Sequence, residues 1–458
     1  MAETTKKTIV SPQTGDKYTH IHHKSGLEIL VCEMEGYSTT EAMFGTKYGS
    51  INTQFKTAAD KDYCTVPEGI AHFLEHKLFE NEDCDVFDLY AKTGANANAF
   101  TSFDKTCYFF SCSDNFKASL EILLSFVQSP YFTPESVAKE QGIIGQEIRM
   151  CDDDPGWRVF FNMLCGLYQK HPVRIDIAGT IESIAEITDD LLYRCYRTFY
   201  NLHNMVLAVA GKCTVDEVLE VADRLLKPCE DQKLETVFPE ETLDIVREET
   251  VESAAVGQPL FNLGIKCQPR QGLDNLRAEM LADITMQTLS GSSSPLYQEM
   301  LQSGLVNDSF SSEVFNGDGF FTMIFGGESR DPQAVREKVT AAILDAQKNG
   351  LDEVMFNESK KSAYGELVRK LGNVSAVTNT LVAAHMAGCG LYDPMQVLSE
   401  MTLDDCNRFL REEVDVRRMS LSVMVKNVVS MSALFYGIAV YEGYKLSFRA
   451  QKHPVGGK

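Results

Sequence analysis

Residues 69–80 read GIAHFLEHKLFE, and the rest of the chain is best understood outward from them. Pro67 suits the approach to a helix start, and Glu68 suits the positive end of the helix dipole, so the stretch is predicted to be helical. At 3.6 residues per turn, His72, Glu75 and His76 project from one face of that helix. Their neighbours Ile70, Phe73, Leu74 and Leu78 are apolar and imply packing on several sides. Two histidines and a glutamate in such surroundings are costly without a partner, and a cation removes the cost. Imidazoles one turn apart can close on a single Zn²⁺ at roughly 2.0 to 2.1 Å, which supplies half of a tetrahedral site. The carboxylate of Glu75 lies on the same turn and is poorly placed as a third ligand. It is better placed to accept a proton from metal-bound water, whose pKa the ion lowers to about 7.

A catalytic zinc takes a third protein ligand and keeps a fourth position open. Residues 134–154 form a second amphipathic stretch, predicted to be a long helix beginning at Thr133-Pro134. It carries Glu140 and Glu147, about two turns apart on one face, and position alone does not separate them as ligands. The histidine–glutamate order is HxxEH, that of the inverzincins and the reverse of HExxH.

On either side, LEILVCEM, EAMFGTKYGS, NAFTSFDKTCYFFSC and NMVLAVAGK have the β-branched and aromatic character of strands, and FKASLEILLSFVQSP has helical spacing ending before Pro130. The stretch 228–252 is acidic, holds two prolines and lacks a sustained apolar period, as a linker would. Beyond it the pattern repeats: FNLGIKC, AEMLADITMQTLSGSSSPLYQEML, GFFTMIFGGES, DEVMFNESKKSAYGELVRKL and RMSLSVMVK give strand, helices, strand, helix and strand. Internal duplication follows as an expectation. The fold class predicted is α+β, with two similar halves, each a largely antiparallel sheet covered by helices. Residues 1–230 would form the zinc-binding domain, 231–252 an acidic linker and 253–458 a related C-terminal domain. The apolar run Val428 to Tyr441 is too short to cross the ~30 Å hydrocarbon layer and reads as a buried strand or helix.

With 43 Lys and Arg against 65 Asp and Glu, the formal charge is -22, which opposes nucleic acid or an anionic membrane surface as the main partner. The first twenty residues hold three lysines but no apolar run behind them, so no secretory or transit signal is expected there. Thirteen cysteines, an odd number without a CxxC pair, fit reduced thiols and a cytoplasmic setting rather than a disulfide framework.

The set HFLEH, GANANAFTSFDKTCY, KEQGIIGQEIRM and NMVLAVAG resembles the pitrilysin, insulinase and mitochondrial processing peptidase family, at the length of a bacterial-type half-length subunit. The resemblance spans most of residues 20–215 and thins afterwards to SSSPLYQEM and the order of elements. It implies a half-shell, clam-type subunit and a zinc endopeptidase acting on short or unfolded peptides. It assigns the third metal ligand to Glu147, an accessory role to Glu140 and the base to Glu75. It further implies that GANANAFT offers an edge strand to which substrate adds in extended form, with Asn98, Ala99 and Thr101 in the substrate-binding pattern; such backbone pairing accepts any peptide sequence. Asn204 reads as a structural turn residue.

One departure stands out. Many relatives carry an arginine and a tyrosine in the second half facing the zinc, but here those positions fall on Leu301 and Asn307. Tyr297 precedes them and Phe310 has no hydroxyl. A sister subunit of the same family, in a heterodimer, would supply the missing pair; a homodimer or a divergent substrate-binding half is the other expectation. The alternative function is a non-catalytic or partner-dependent peptide-binding subunit, against which Glu75 argues, since a structural metal needs no base beside it.

Overall fold

The computed structural model describes residues 3–82 and 85–427, so the expectation for Val428 to Tyr441 falls outside the described residues. The first half runs β1 (Thr5–Val10), β2 (Lys17–His22), β3 (Glu28–Glu33), β4 (Thr40–Thr46), β5 (Gln54–Lys56), β6 (Cys64–Thr65), α1 (Ile70–Leu78), α2 (Val86–Thr93), β7 (Asn96–Thr101) and β8 (Thr106–Cys112). It continues with α3 (Phe116–Phe126), α4 (Pro134–Asp153), α5 (Pro155–Leu167), α6 (Ile181–Ala185), α7 (Asp189–Phe199), β9 (Met205–Gly211) and α8 (Val215–Leu225). Its main sheet has the order β1-β2-β3-β9-β4-β8-β7, with β3 and β9 parallel and every other pair antiparallel. β4 and β9 are buried along their whole length, as continuous apolar strands covered on both faces should be.

The second half runs β10 (Glu235–Thr236), β11 (Glu249–Ala254), β12 (Leu260–Lys266), α9 (Gly272–Ser290), α10 (Pro295–Gln302), β13 (Ser311–Gly317) and β14 (Phe320–Glu328). There follow α11 (Pro332–Asn349), α12 (Glu353–Leu371), α13 (Val374–Met386), α14 (Asp393–Glu400), α15 (Leu403–Glu412) and β15 (Met419–Lys426). Its five-stranded sheet has the order β11-β15-β12-β14-β13, again with one parallel pair, β11 and β15. The arrangement β3-β9-β4-β8-β7 of the first half is thus repeated strand for strand. The expected α+β class and the two similar halves are what the structure has.

Each sheet packs one face on its own helices and the other on a helix from the opposite half. Phe44, Phe110 and Leu207 meet Phe73 of α1 and Leu123 of α3 in one core. On the reverse face, Met43, Cys107 and Ala208 pack against Val377, Leu381 and Val382 of α13. In exchange, Met163, Leu164 and Leu167 of α5 lie against Phe320 and Ile324 of the second sheet. The sequence order alone hides this exchange, because an apolar helix does not say which sheet it covers.

The acidic stretch between the halves is tied down. Glu235 and Thr236 pair with β5, and β11 begins at Glu249, inside the stretch read as linker. Between them, Glu241 accepts the backbone N–H groups of Gln169, Lys170 and His171 and the Lys266 ammonium at 2.6 Å. Lys266 also donates to the Leu167 carbonyl at 2.9 Å and lies 4.6 Å from the Tyr168 ring centre.

Candidate metal centre

Glu68 does not sit in the first turn of α1. The helix begins at Ile70 after Gly69, whose φ of 83° puts it in the left-handed region. A Cβ on Gly69 would lie 2.2 Å from the Ala178 carbonyl oxygen, so only glycine lets the chain enter the helix this close to the 178–179 turn. The Glu68 carbonyl accepts the Ser183 hydroxyl at 2.9 Å, which fixes the entry further. At the other end Lys77, fully buried, pairs with Glu80. α4 starts where the sequence predicts, with Thr133 capping the Ser136 N–H, Ser136 bonding back, and Pro134 in the first turn. α1 is therefore anchored at both ends, and α4, fixed at its start, crosses it.

His72, His76 and Glu147 converge: one ligand atom from each lies within 4.8 Å of the others, the one such group among the described residues. Nε2 of His72 is 3.7 Å from Oε1 of Glu147, and Nε2 of His76 is 3.6 Å from Oε2. These separations are too long for hydrogen bonds. They are close to the roughly 3.3 Å expected between ligand atoms placed tetrahedrally about one zinc ion, so the residues present fit that metal.

Burial pushes the His72 imidazole down to about 3, and neighbouring His76 adds to the effect, so His72 is neutral with a lone pair to give. Nδ1 of His72 has no hydrogen-bond partner among the described residues, and nothing in the structure explains that. At His76, burial opposes the charged form, but the Glu140 hydrogen bond and the charges of Glu75, Glu140 and Glu147 raise the pKa overall. Glu140 is buried and its Oε1 lies 3.0 Å from His76 Nδ1. A proton on Nδ1 shared with that carboxylate fixes the ring and leaves Nε2 to face Glu147.

Glu75 lies on the same helix face, 9% exposed. Burial raises its pKa, and a hydrogen bond from Thr101 partly offsets the rise. Thr101 closes β7, the edge strand of the first sheet. Asn98 and Ala99 precede it there, with Asn98 Oδ1 accepting the Ala99 N–H at 2.8 Å. The sequence pointed to Thr101 as a contact for substrate; its hydrogen bond to Glu75 joins two elements and carries no signal in either segment.

Comparison with known proteins gives the family. A sequence profile described as "Insulinase (Peptidase family M16)" matches residues 65–181, and one described as "Peptidase M16 inactive domain" matches residues 186–363. "Uncharacterized zinc protease YmfH" of Bacillus subtilis is 37% identical over 426 residues, which cover 92% of this chain and 99% of that one. The chain belongs to peptidase family M16. The structure of an M16-like peptidase from Alicyclobacillus acidocaldarius superposes with a TM-score of 0.86 at 32% identity, over 93% of this chain and 99% of that one. Pitrilysin, at 14% identity and a TM-score of 0.70, shares the fold over 92% of this chain and 47% of its own length.

In this M16 chain the structure places the second-half residues that the sequence reading singled out as follows. Leu301 lies on α10, 36% exposed, and offers no charge. Asn307 donates to Glu328 Oε2 at the end of β14 at 2.7 Å and accepts the Ser309 hydroxyl at 2.5 Å, so its amide is spent on that strand end and its own loop. Tyr297 and Phe310 lie near one another with their rings tilted by 42° and ring centres 6.0 Å apart. Asn204 donates to the Phe199 carbonyl at 2.9 Å and bonds Thr46 and Lys47, a turn residue.

Proposed function

We propose that the chain is a zinc-dependent endopeptidase of the HxxEH type, acting on short or unfolded peptides. The observation that carries this is the convergence of His72, His76 and Glu147 at spacings suited to one ion, with an uncoordinated carboxylate, Glu75, on the same helix face. When bound, zinc would polarise the scissile carbonyl and make water acidic enough to attack at neutral pH. His72, His76 and Glu147 would hold it, and Glu140 would orient His76. Glu75 would take the proton from the attacking water and return it to the leaving amine. β7 would receive the peptide as an added strand through its outward backbone groups near Asn98 and Ala99.

Leu301 and Asn307 favour a second reading of how the site is completed, in which this is a partner-dependent subunit. A sister subunit of the same family, or a second copy, would then close the half-shell and complete substrate binding. We further propose a division into 1–230, 231–252 and 253–458, and a cytoplasmic setting, consistent with the free cysteines among the described residues. No described helix is long and apolar enough to cross a membrane.

The test is zinc content together with the cleavage of a peptide mixture, for the chain alone and with any co-purifying subunit. Glu75→Gln is expected to keep the metal and lose about 10²- to 10⁴-fold in rate. Unchanged hydrolysis in that variant overturns the assignment.

A further inference from the structure

Thr101 Oγ1 donates to Oε2 of Glu75 at 2.7 Å. A carboxylate on a flexible side chain can swing about its last torsion, so a base aimed by one strong hydrogen bond is better placed than a free one. Oε1 of Glu75 has no hydrogen-bond partner among the described residues, so the bond divides the carboxylate into a held oxygen and an available one. A second hydroxyl stands beside that of Thr101 without competing for its proton. Directly opposite Thr101 in β8 stands Thr106, fully buried, with Oγ1 3.3 Å from that of Thr101 and 2.8 Å from the Tyr48 carbonyl that accepts its proton. Each hydroxyl has one proton to give: that of Thr106 goes to Tyr48, and that of Thr101 goes to Glu75.

We infer that Thr101 is a positioning residue for Glu75, so that the edge strand proposed to receive the peptide also aims the base that would act on it. The inference rests on the endopeptidase reading above and adds a role for the Thr101 hydroxyl distinct from substrate binding. The strand's outward N–H and C=O groups remain for the peptide; the side chain turns inward to the catalytic helix. Docking of substrate on β7 and alignment of Glu75 are thereby mechanically joined through one residue.

The experiment compares Thr101→Val, Thr101→Ser and Glu75→Gln in the zinc-loaded protein, measuring kcat and KM on one peptide, zinc content and melting temperature. The expected result for Thr101→Val is a kcat about tenfold to a hundredfold lower with KM and zinc content unchanged, and recovery in Thr101→Ser, which restores the donor. A wild-type kcat in Thr101→Val, or a loss confined to KM, overturns the inference while leaving Glu75 as base. Hydrolysis untouched by Glu75→Gln overturns both. Should Thr101→Val fail to fold, Thr101→Ser against Thr101→Ala makes the same comparison of hydroxyl present and absent.

Discussion

The two halves share a scaffold and differ in chemistry. α1 and α9 each follow the second strand of their five-strand set, and α4 and α12 stand in matching places after β8 and β14. Even the link from helix to edge strand persists: Glu75 accepts from Thr101 of β7, and Glu279 of α9 accepts from Asn316 of β13 at 3.1 Å. Yet α9 has no imidazole beside Glu279. It has Asp283 one turn on, and burial raises both carboxyl pKa values, opposed first by a hydrogen bond from Asn316 to Glu279 and from Gln287 to Asp283 and then by the charge of Lys370. Core positions are many and mutually constraining, whereas a metal site depends on a few polar residues. The same fold can therefore keep its packing while, among the described residues, only one half holds a cluster suited to a metal.

The largest expected effect breaks that asymmetry directly. His76→Ala should lose zinc and more than about a hundredfold in peptide hydrolysis, since a ligand matters at least as much as the groups around it. Asp283→Ala, one turn beyond Glu279 on the matching helix of the second half, should keep metal content and rate within error. Zinc loss in Asp283→Ala would mean that the second half holds metal after all.

A second contrast lies at matching strand ends. Lys266 ends β12 in a buried ion pair with Glu241, side chains 2% and 8% exposed. Thr46 ends β4 with a neutral hydrogen bond to the Phe199 carbonyl at 2.6 Å. Removing one member of a buried pair strands the other charge, so Lys266→Met should cost about 3 to 5 kcal/mol in denaturant unfolding. Thr46→Val should cost about 1 to 3 kcal/mol. The pair also has an acid limit. Burial opposes the Glu241 charge, but the N–H groups of residues 169–171 and Lys266 hold its pKa down to about 2. A carboxylate lowered on folding adds stability above its unfolded pKa and loses it as pH falls toward the folded value. Melting temperatures should therefore drop from about pH 4.5 down to about pH 2, and Glu241→Gln should flatten that drop.

What the sequence made legible follows the same division. The apolar strands, the helix of residues 69–80 and the repeat of element order were readable because they depend on local period, and Thr133-Pro134 marked its helix start to the residue. The grouping of His72, Glu75 and His76 was readable because one helix turn fixes it. Which glutamate of α4 meets them was not, since that depends on where two helices cross; in the structure Glu147 faces both Nε2 atoms and Glu140 faces His76 Nδ1. The contacts of the stretch read as linker were not legible. Its acidity and prolines suggested a boundary, but Glu241 and the strand at Glu249 answer to partners distant in sequence. β13 and the exchanged helices α5 and α13 left no separate mark, since an apolar residue on a helix does not name the sheet it covers.

The exchange itself offers the finest comparison, because both sheets admit the foreign helix by the same means. Gly45 of β4 lies under Val382 and Met386 of α13; Gly264 of β12 lies under Met163 and Leu167 of α5. In each case the two helix residues are four apart, one turn, and the glycine opens the strand to them. A Cβ at position 45 would meet the Met386 Cε at 2.9 Å, the movable tip of a flexible chain, with Cys107 Sγ and Val382 Cγ1 at 3.1 Å. At position 264 it would meet Leu167 Cδ1 at 2.6 Å and Met163 Sδ at 2.7 Å, with Met163 Cγ at 3.0 Å, so two side chains of one helix would have to shift together. Overpacking of this kind costs about 1 to 3 kcal/mol, whereas alanine in place of glycine recovers about 0.4 to 1 kcal/mol by restricting the unfolded chain. Gly264→Ala should therefore lower the unfolding free energy by about 1 to 2 kcal/mol, and Gly45→Ala should stay within about 1 kcal/mol of the parent. Equal losses would show that the two clasps are equally tight. A greater loss at Gly45 would reverse the ranking, because the α13 side would then be the one with no room to yield.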